Sequence, residues 1–214
     1  MTRIKICGIT RMEDALAAAD AGADAIGLNF AKSPRQVTPS QARLIVAALP
    51  PYVTAVGVFV NARVATILRT IDAVRLGEVQ LHGDESPEFV ARLGCTRVTK
   101  ALRVRDRSFI DQARVFTDAG VSAILLDAYS TRRRGGTGKR FDWDLVTGAR
   151  EAGLFDEAPP LILAGGLTPL NVKSGIRRLH PWGVDVCGGV EIEPGRKCPE
   201  KIARFIAAVR SARR

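Results

Sequence analysis

Short apolar runs rich in Val, Ile and Leu alternate with amphipathic stretches along the whole chain. The runs predict strands at 3–7, 24–29, 54–60, 77–81, 97–102, 122–127, 160–164 and 183–187. Apolar residues at helical spacing predict helices near 11–21, 39–49, 62–73, 86–93, 107–118, 142–152, 169–179 and 198–211. Thr10, Thr38-Pro39 and Ser86-Pro87 read as helix starts, and Gly22, Gly94, Gly120 and Gly153 as stops. Eight strand–helix units within 214 residues imply a parallel sheet. That number predicts an α/β fold in which the sheet closes as a single (βα)8 TIM barrel spanning 1–214. An open doubly wound sheet is the rival, but "CGITRMED" after the first strand is not a dinucleotide fingerprint. "GADAIGLN" at 22–29 and "GVSAILLD" at 120–127 echo each other four units apart, as half-barrel duplication would produce.

In such a barrel the chemistry sits at the C-terminal ends of the strands. Alternation assigns Ile4 and Ile6 to the helix-facing side of the first strand, with Lys5 and Cys7 on the barrel side. The same count turns Gly27 and Asn29, Gln80 and His82, Asp127, and Asp185 and Cys187 inward. Polar groups therefore gather at one rim. "LAGGLTP" at 163–169 and "DVCGGVE" at 185–191 each place paired glycines just beyond a strand. Such loops, with a following helix N-terminus, are this fold's usual phosphate cradle. Arg35, in "SPR" after the second strand, offers a guanidinium fork for a carboxylate.

The longest loop, "AYSTRRRGGTGKRF" at 128–141, contains "GGTGKR". As a Walker A motif it fails, because Arg133 replaces the first glycine and Arg140 the Ser or Thr. It reads instead as a basic lid over the mouth.

Composition narrows the function classes. No apolar run reaches the roughly 18–20 residues of a membrane span, and no secretory signal is evident, so a cytoplasmic location is expected. The four cysteines, Cys7, Cys95, Cys187 and Cys198, form no C-x-x-C pair, and there are only two histidines. Neither a disulfide framework nor a structural zinc site is expected. The formal charge of +10 is dispersed, apart from 132–134 and 210–214, and is not interleaved with aromatics. It favours a small anionic substrate over nucleic acid.

Taken in order, "KICGIT", "GLNFAKSPR", "VQLHGDE", "LLDAYS" with "GGTGKRFDW", "LAGGL" and "GVDVCGGVE" resemble phosphoribosylanthranilate isomerases across essentially the whole chain. The resemblance implies an Amadori rearrangement in tryptophan biosynthesis, converting N-(5′-phosphoribosyl)anthranilate into 1-(2-carboxyphenylamino)-1-deoxyribulose 5-phosphate. No cofactor or metal is implied. Carried over by motif, Cys7 is the general base, Asp127 the general acid and Arg35 the anthranilate carboxylate ligand. His82, Gly165, Gly166, Asp185, Gly188 and Gly189 complete the substrate site. A phosphorylated small molecule is the expected partner, with no nucleic acid or membrane, and the chain would be a monomer or homodimer. To act near neutral pH the Cys7 thiol, ordinarily at a pKa of about 8.5, must be lowered, with Lys5 helping, or be used as the minority thiolate. Asp127 must hold a proton under the lid. Where the family motif reads "DVSSGVE", this chain has Cys187 and Gly188. The related isomerase of histidine biosynthesis would need acids on strands one and five, and "TRVTKAL" supplies none. A non-catalytic barrel that binds phosphate or nucleic acid is the alternative from another class.

Overall fold

The structure, a computed structural model, describes residues 1–94, 96–128 and 142–212. Residues 129–141, which carry the predicted basic lid, lie outside the described residues, as do Cys95 and 213–214.

Eight parallel strands close a barrel in sequence order: β1 (Arg3–Cys7), β2 (Ala25–Asn29), β3 (Thr54–Phe59), β4 (Glu78–Leu81), β5 (Val98–Val104), β6 (Ala123–Ala128), β7 (Leu161–Leu163) and β8 (Gly183–Val186). The first seven are followed by α1 (Met12–Ala21), α2 (Pro39–Ala47), α3 (Val64–Val74), α4 (Pro87–Ala91), α5 (Ser108–Asp118), α6 (Trp143–Glu151) and α7 (Val172–Leu179). Beyond β8 lies an insertion the sequence pattern did not predict. A 3₁₀ turn at Gly188–Val190 leads into an antiparallel ribbon, β9 (Glu191–Glu193) with β10 (Arg196–Lys197), before α8 (Pro199–Arg210).

Period-two alternation explains how the barrel is filled. Ile4, Ile6, Ile26, Leu28, Val79, Leu81, Leu126 and Val186 point outward and join Ile67, Phe109, Ile176 and Phe205 of the helices in one buried cluster. Each such side chain contributes about 1.5–3 kcal/mol by leaving water. The inward face holds a second cluster of smaller bulk, Ala101, Ala123, Leu125, Ile162 and Ala164. Three alanines there leave room for the long polar side chains described below.

Local signals set most helix ends. Thr38 and Gln41 form a reciprocal capping box at α2, with Pro39 in the first turn. Gly22 ends α1 in the left-handed conformation at φ 98°. Thr10 departs from expectation: α1 is preceded by Arg11, with no side-chain cap. The Thr10 hydroxyl donates instead to the Gly195 carbonyl, tethering the β9–β10 ribbon. No helix among the described residues is long and apolar enough to cross a membrane.

Candidate active site

A cavity of about 320 Å³ opens at the C-terminal mouth of the barrel. All nine residues proposed from sequence line it: Cys7, Arg35, His82, Asp127, Gly165, Gly166, Asp185, Gly188 and Gly189. Cys7 ends β1 and Asp127 lies near the end of β6, three strands apart around the ring. The two therefore face a ligand from different sides.

A chain of hydrogen bonds crosses the barrel beneath this cavity. Lys5 Nζ donates to Asp185 Oδ1 at 3.0 Å and to Gln80 Oε1 at 2.6 Å. Gln80 Nε2 lies 3.0 Å from His82 Nδ1, and His82 Nε2 lies 3.1 Å from Asp127 Oδ2. The donor inventory orients every link. An ammonium has no lone pair, so Lys5 fixes the Gln80 amide with its oxygen toward Nζ. The amide NH2 must then donate to Nδ1, which leaves the imidazole hydrogen on Nε2, facing Asp127. Asp127 Oδ1 accepts in addition from the Ala128 N–H at 2.8 Å. Burial by itself would lower the Lys5 pKa, but above all the charge of Asp185 raises it, so the ammonium persists.

The thiol at the mouth departs from expectation. Cys7 is pushed up, first because it donates a hydrogen bond to Cys187 and second because it is buried; Lys5 opposes both effects without overcoming them. Cys187 is the lowered partner, pulled to about 7 by the Cys7 hydrogen bond, against burial, and then by the Lys197 and Arg35 charges. Lys197 Nζ stands 3.7 Å from its sulfur and 3.2 Å from its carbonyl oxygen. Of the two thiols, Cys187 therefore ionises first and Cys7 keeps its proton longer.

Glu191 organises the cations around this pair. Its carboxylate takes Arg35 Nε at 2.8 Å and Nη2 at 2.6 Å, Lys197 Nζ at 2.9 Å and the Gly195 N–H at 3.2 Å. Two of the five guanidinium N–H donors of Arg35 are thus committed, and three remain for a ligand. The fork predicted for a substrate carboxylate is already closed on a protein carboxylate.

The glycine loops are shaped by close approach. Gly165 and Gly166 have φ of 77° and 67°, and a Cβ on Gly165 would strike the Ala128 backbone and sit 3.0 Å from Asp127 Oδ1. A Cβ on Gly189 would collide with the Leu167 carbonyl, so the loops after β7 and β8 touch only because it is absent. Asn171 pins the first of them, donating to the Gly166 carbonyl at 2.9 Å and accepting the Thr168 N–H at 2.8 Å. That turn delays α7 to Val172, three residues past the predicted start.

Glu191 and Lys197 were not among the sequence candidates, and Gln80 was placed at the rim without a role. Gln80 was legible as the inward neighbour of His82. Glu191 closes the "GGVE" block, while nothing marked Lys197, which enters through the unpredicted ribbon. Among the described residues, no group of three or more His, Cys, Asp and Glu is placed to hold a metal ion.

Known proteins resemble this chain in sequence and in fold. The family model described as N-(5′-phosphoribosyl)anthranilate (PRA) isomerase matches residues 4–208. The N-(5′-phosphoribosyl)anthranilate isomerase of Pelobacter propionicus is 49% identical over 214 residues, covering 100% of this chain and 98% of the relative. The crystal structure of phosphoribosyl anthranilate isomerase from Thermotoga maritima superposes with a TM-score of 0.89 at 41% identity, covering 98% of this chain and 99% of that one. A further crystal structure, of a phosphoribosyl anthranilate isomerase in complex with reduced 1-(o-carboxyphenylamino)-1-deoxyribulose 5-phosphate, gives a TM-score of 0.86 at 40% identity, with 98% and 99% covered. A match that runs nearly end to end in sequence and in fold, on a barrel whose mouth holds every expected residue, places this chain in the N-(5′-phosphoribosyl)anthranilate isomerase family.

Proposed function

We propose that this enzyme rearranges N-(5′-phosphoribosyl)anthranilate to 1-(2-carboxyphenylamino)-1-deoxyribulose 5-phosphate, with Asp127 as general acid and Cys7 as general base. The carrying observation is that one cavity is lined by both groups, by Arg35 and by the two glycine loops. Asp127 protonates the furanose ring oxygen, the C1′–O bond breaks, and the anilino nitrogen lone pair forms the Schiff base. The Cys7 sulfur then removes the C2′ proton, and the electron pair moves to give an enolamine that tautomerises to the ketone. Cys7 acts in the microstate whose proton sits on Cys187, a transfer their hydrogen bond allows.

Binding follows from charge. The remaining donors of Arg35 meet the anthranilate carboxylate. The backbone N–H groups of the Gly165–Gly166 and Gly188–Gly189 loops meet the phosphate. His82 and Asp185 hold Asp127 and Lys5 in place from below. The relative that binds a reduced product analogue supports this ligand class.

The test is turnover by the purified full chain of N-(5′-phosphoribosyl)anthranilate beside the bis-phosphorylated substrate of the histidine-pathway isomerase, together with rescue of a tryptophan auxotroph lacking this step. Conversion of the first substrate and rescue are expected. A folded protein that turns over neither, or only the second, overturns the reading.

A further inference from the structure

Strands β1 and β8 run parallel and in register, with Arg3 opposite Gly183, Lys5 opposite Asp185 and Ile6 opposite Val186. One residue further, Cys7 ends β1 and Cys187 follows the end of β8. Both thiols line the cavity at the mouth, above the facing pair Lys5 and Asp185 one layer deeper. Neighbouring strands lie about 4.8 Å apart. That spacing falls within the Cα separation of roughly 4.4–6.8 Å that disulfides span. Each thiol shifts the other's titration, Cys7 upward and Cys187 downward.

The surroundings suit oxidation. Both residues line the open cavity, where a small solute reaches them. A Cβ on Gly27 would press on the Cys7 sulfur and one on Gly8 on the Cys187 sulfur, so no side chain shields either thiol from these two positions. Lys197 and Arg35 support a thiolate on Cys187, while Glu191, 4.0 Å from that sulfur, opposes it. Lys5 and Asp185 face Cys7 from below. A thiolate with a resolving thiol beside it is the arrangement found in reversible redox sites.

We infer that Cys7 and Cys187 form a paired-thiol modification site that hydroperoxides oxidise reversibly to a disulfide. The Cys187 thiolate attacks the peroxide oxygen, the S–O bond forms, the O–O bond breaks, and the departing hydroxide takes a proton to become water. Cys7 then attacks the sulfenic sulfur, the S–S bond forms, the S–O bond breaks, and the second hydroxide leaves as water with a proton. Two thiols lose two electrons and hydrogen peroxide becomes two waters. Loss of turnover on oxidation rests on the proposed role of Cys7; formation of the bond does not.

The experiment treats the reduced full chain with hydrogen peroxide, then measures intact mass, peptide cross-links and isomerase activity before and after dithiothreitol. The expected result is loss of two hydrogens, a cross-link joining the Cys7 and Cys187 peptides, and activity that falls with the cross-link and returns on reduction. Cys187→Ser, compared with its own activity before peroxide, should give no such cross-link, and dithiothreitol should not restore what peroxide removes. Peroxide that leaves both thiols free, or links either only to Cys95 or Cys198, overturns the inference. A Cys7–Cys187 cross-link with undiminished turnover upholds it and removes Cys7 from its role as base.

Discussion

His82 Nε2 lies 3.1 Å from Asp127 Oδ2, and Gln80, bonded to the opposite ring nitrogen, decides which of those atoms carries the hydrogen. The decision descends from Lys5, whose ammonium leaves the Gln80 amide one orientation. Gln80→Leu deletes the donor to Nδ1 and should lower kcat by roughly tenfold with little change in KM, because what is lost is positioning of the acid. Gln80→Glu should be worse, since a carboxylate demands a hydrogen on Nδ1 and leaves Nε2 bare toward Asp127. Nitrogen-15 NMR of the imidazole reads the tautomer directly. A wild-type spectrum with the hydrogen on Nδ1 would refute this account.

Cys7→Ala and Asp127→Asn should each cut kcat by roughly 10²- to 10⁴-fold, the range for losing a positioned acid or base, with KM nearly unmoved. Cys7→Ser keeps the shape but replaces a thiol with a hydroxyl that is far harder to ionise. It should be severely impaired per folded molecule. Normal turnover in a merely less heat-stable Cys7→Ser protein would show that Cys7 only packs.

Arg35→Ala should raise KM by roughly 10- to 100-fold with a smaller change in kcat, the scale of hydrogen bonds to a charged group. Because Arg35 also closes on Glu191, Arg35→Lys keeps a charge but loses the fork, and should recover only part of the affinity. Unchanged KM in both variants would exclude a contact with the substrate carboxylate.

The thiol pair gives a pH signature. With Cys187 lowered to about 7 and Cys7 raised, iodoacetamide should label Cys187 first, at a rate rising through a midpoint near pH 7. Lys197→Met removes the ammonium 3.7 Å from that sulfur and should move the midpoint upward. Peptide mapping that finds Cys7 labelled first would reverse the order of ionisation.

Glu85 anchors the loop after β4. Its carboxylate takes Lys100 Nζ at 2.6 Å, the Asn61 N–H at 2.8 Å and the Gly83 N–H at 2.9 Å. Burial works against the charge, but the Lys100 hydrogen bond and charge, then the backbone donors, hold the Glu85 pKa below its ordinary value. Its stabilising contribution is therefore complete above the unfolded carboxylate value, about 4.3, and is lost as pH falls through the lower folded value. Glu85→Ala leaves the Lys100 ammonium buried without this partner and should cost about 3–5 kcal/mol at neutral pH. Thermal melts from pH 7 to 3 should show a shallower acid decline in the variant. Parallel declines would refute the assignment.

Much of this protein was written in local pattern. The periodicity of two in "RIKIC" and "AILLDA" alone put Ile4 and Ile6 outside the barrel and Cys7 and Asp127 inside it, because a side chain's face depends only on its parity along a strand. The count of strand–helix units carried the closure, and the glycine pairs located the loops. What tertiary structure decided were relations between residues far apart in the chain. Nothing local joins Lys5 to Gln80 or Asp185, Arg35 to Glu191, or Cys7 to Cys187; barrel closure between β8 and β1 and the register of that seam bring the last pair together. The ribbon of β9 and β10 was equally illegible. Two and three residues are too short to show a period, yet they deliver Lys197 to Glu191 and Cys187. Charge follows the same division: which groups can ionise is a property of residue type, whereas the proton's place on Cys7 rather than Cys187 depends on which cations the folded chain sets within a few ångströms of each sulfur.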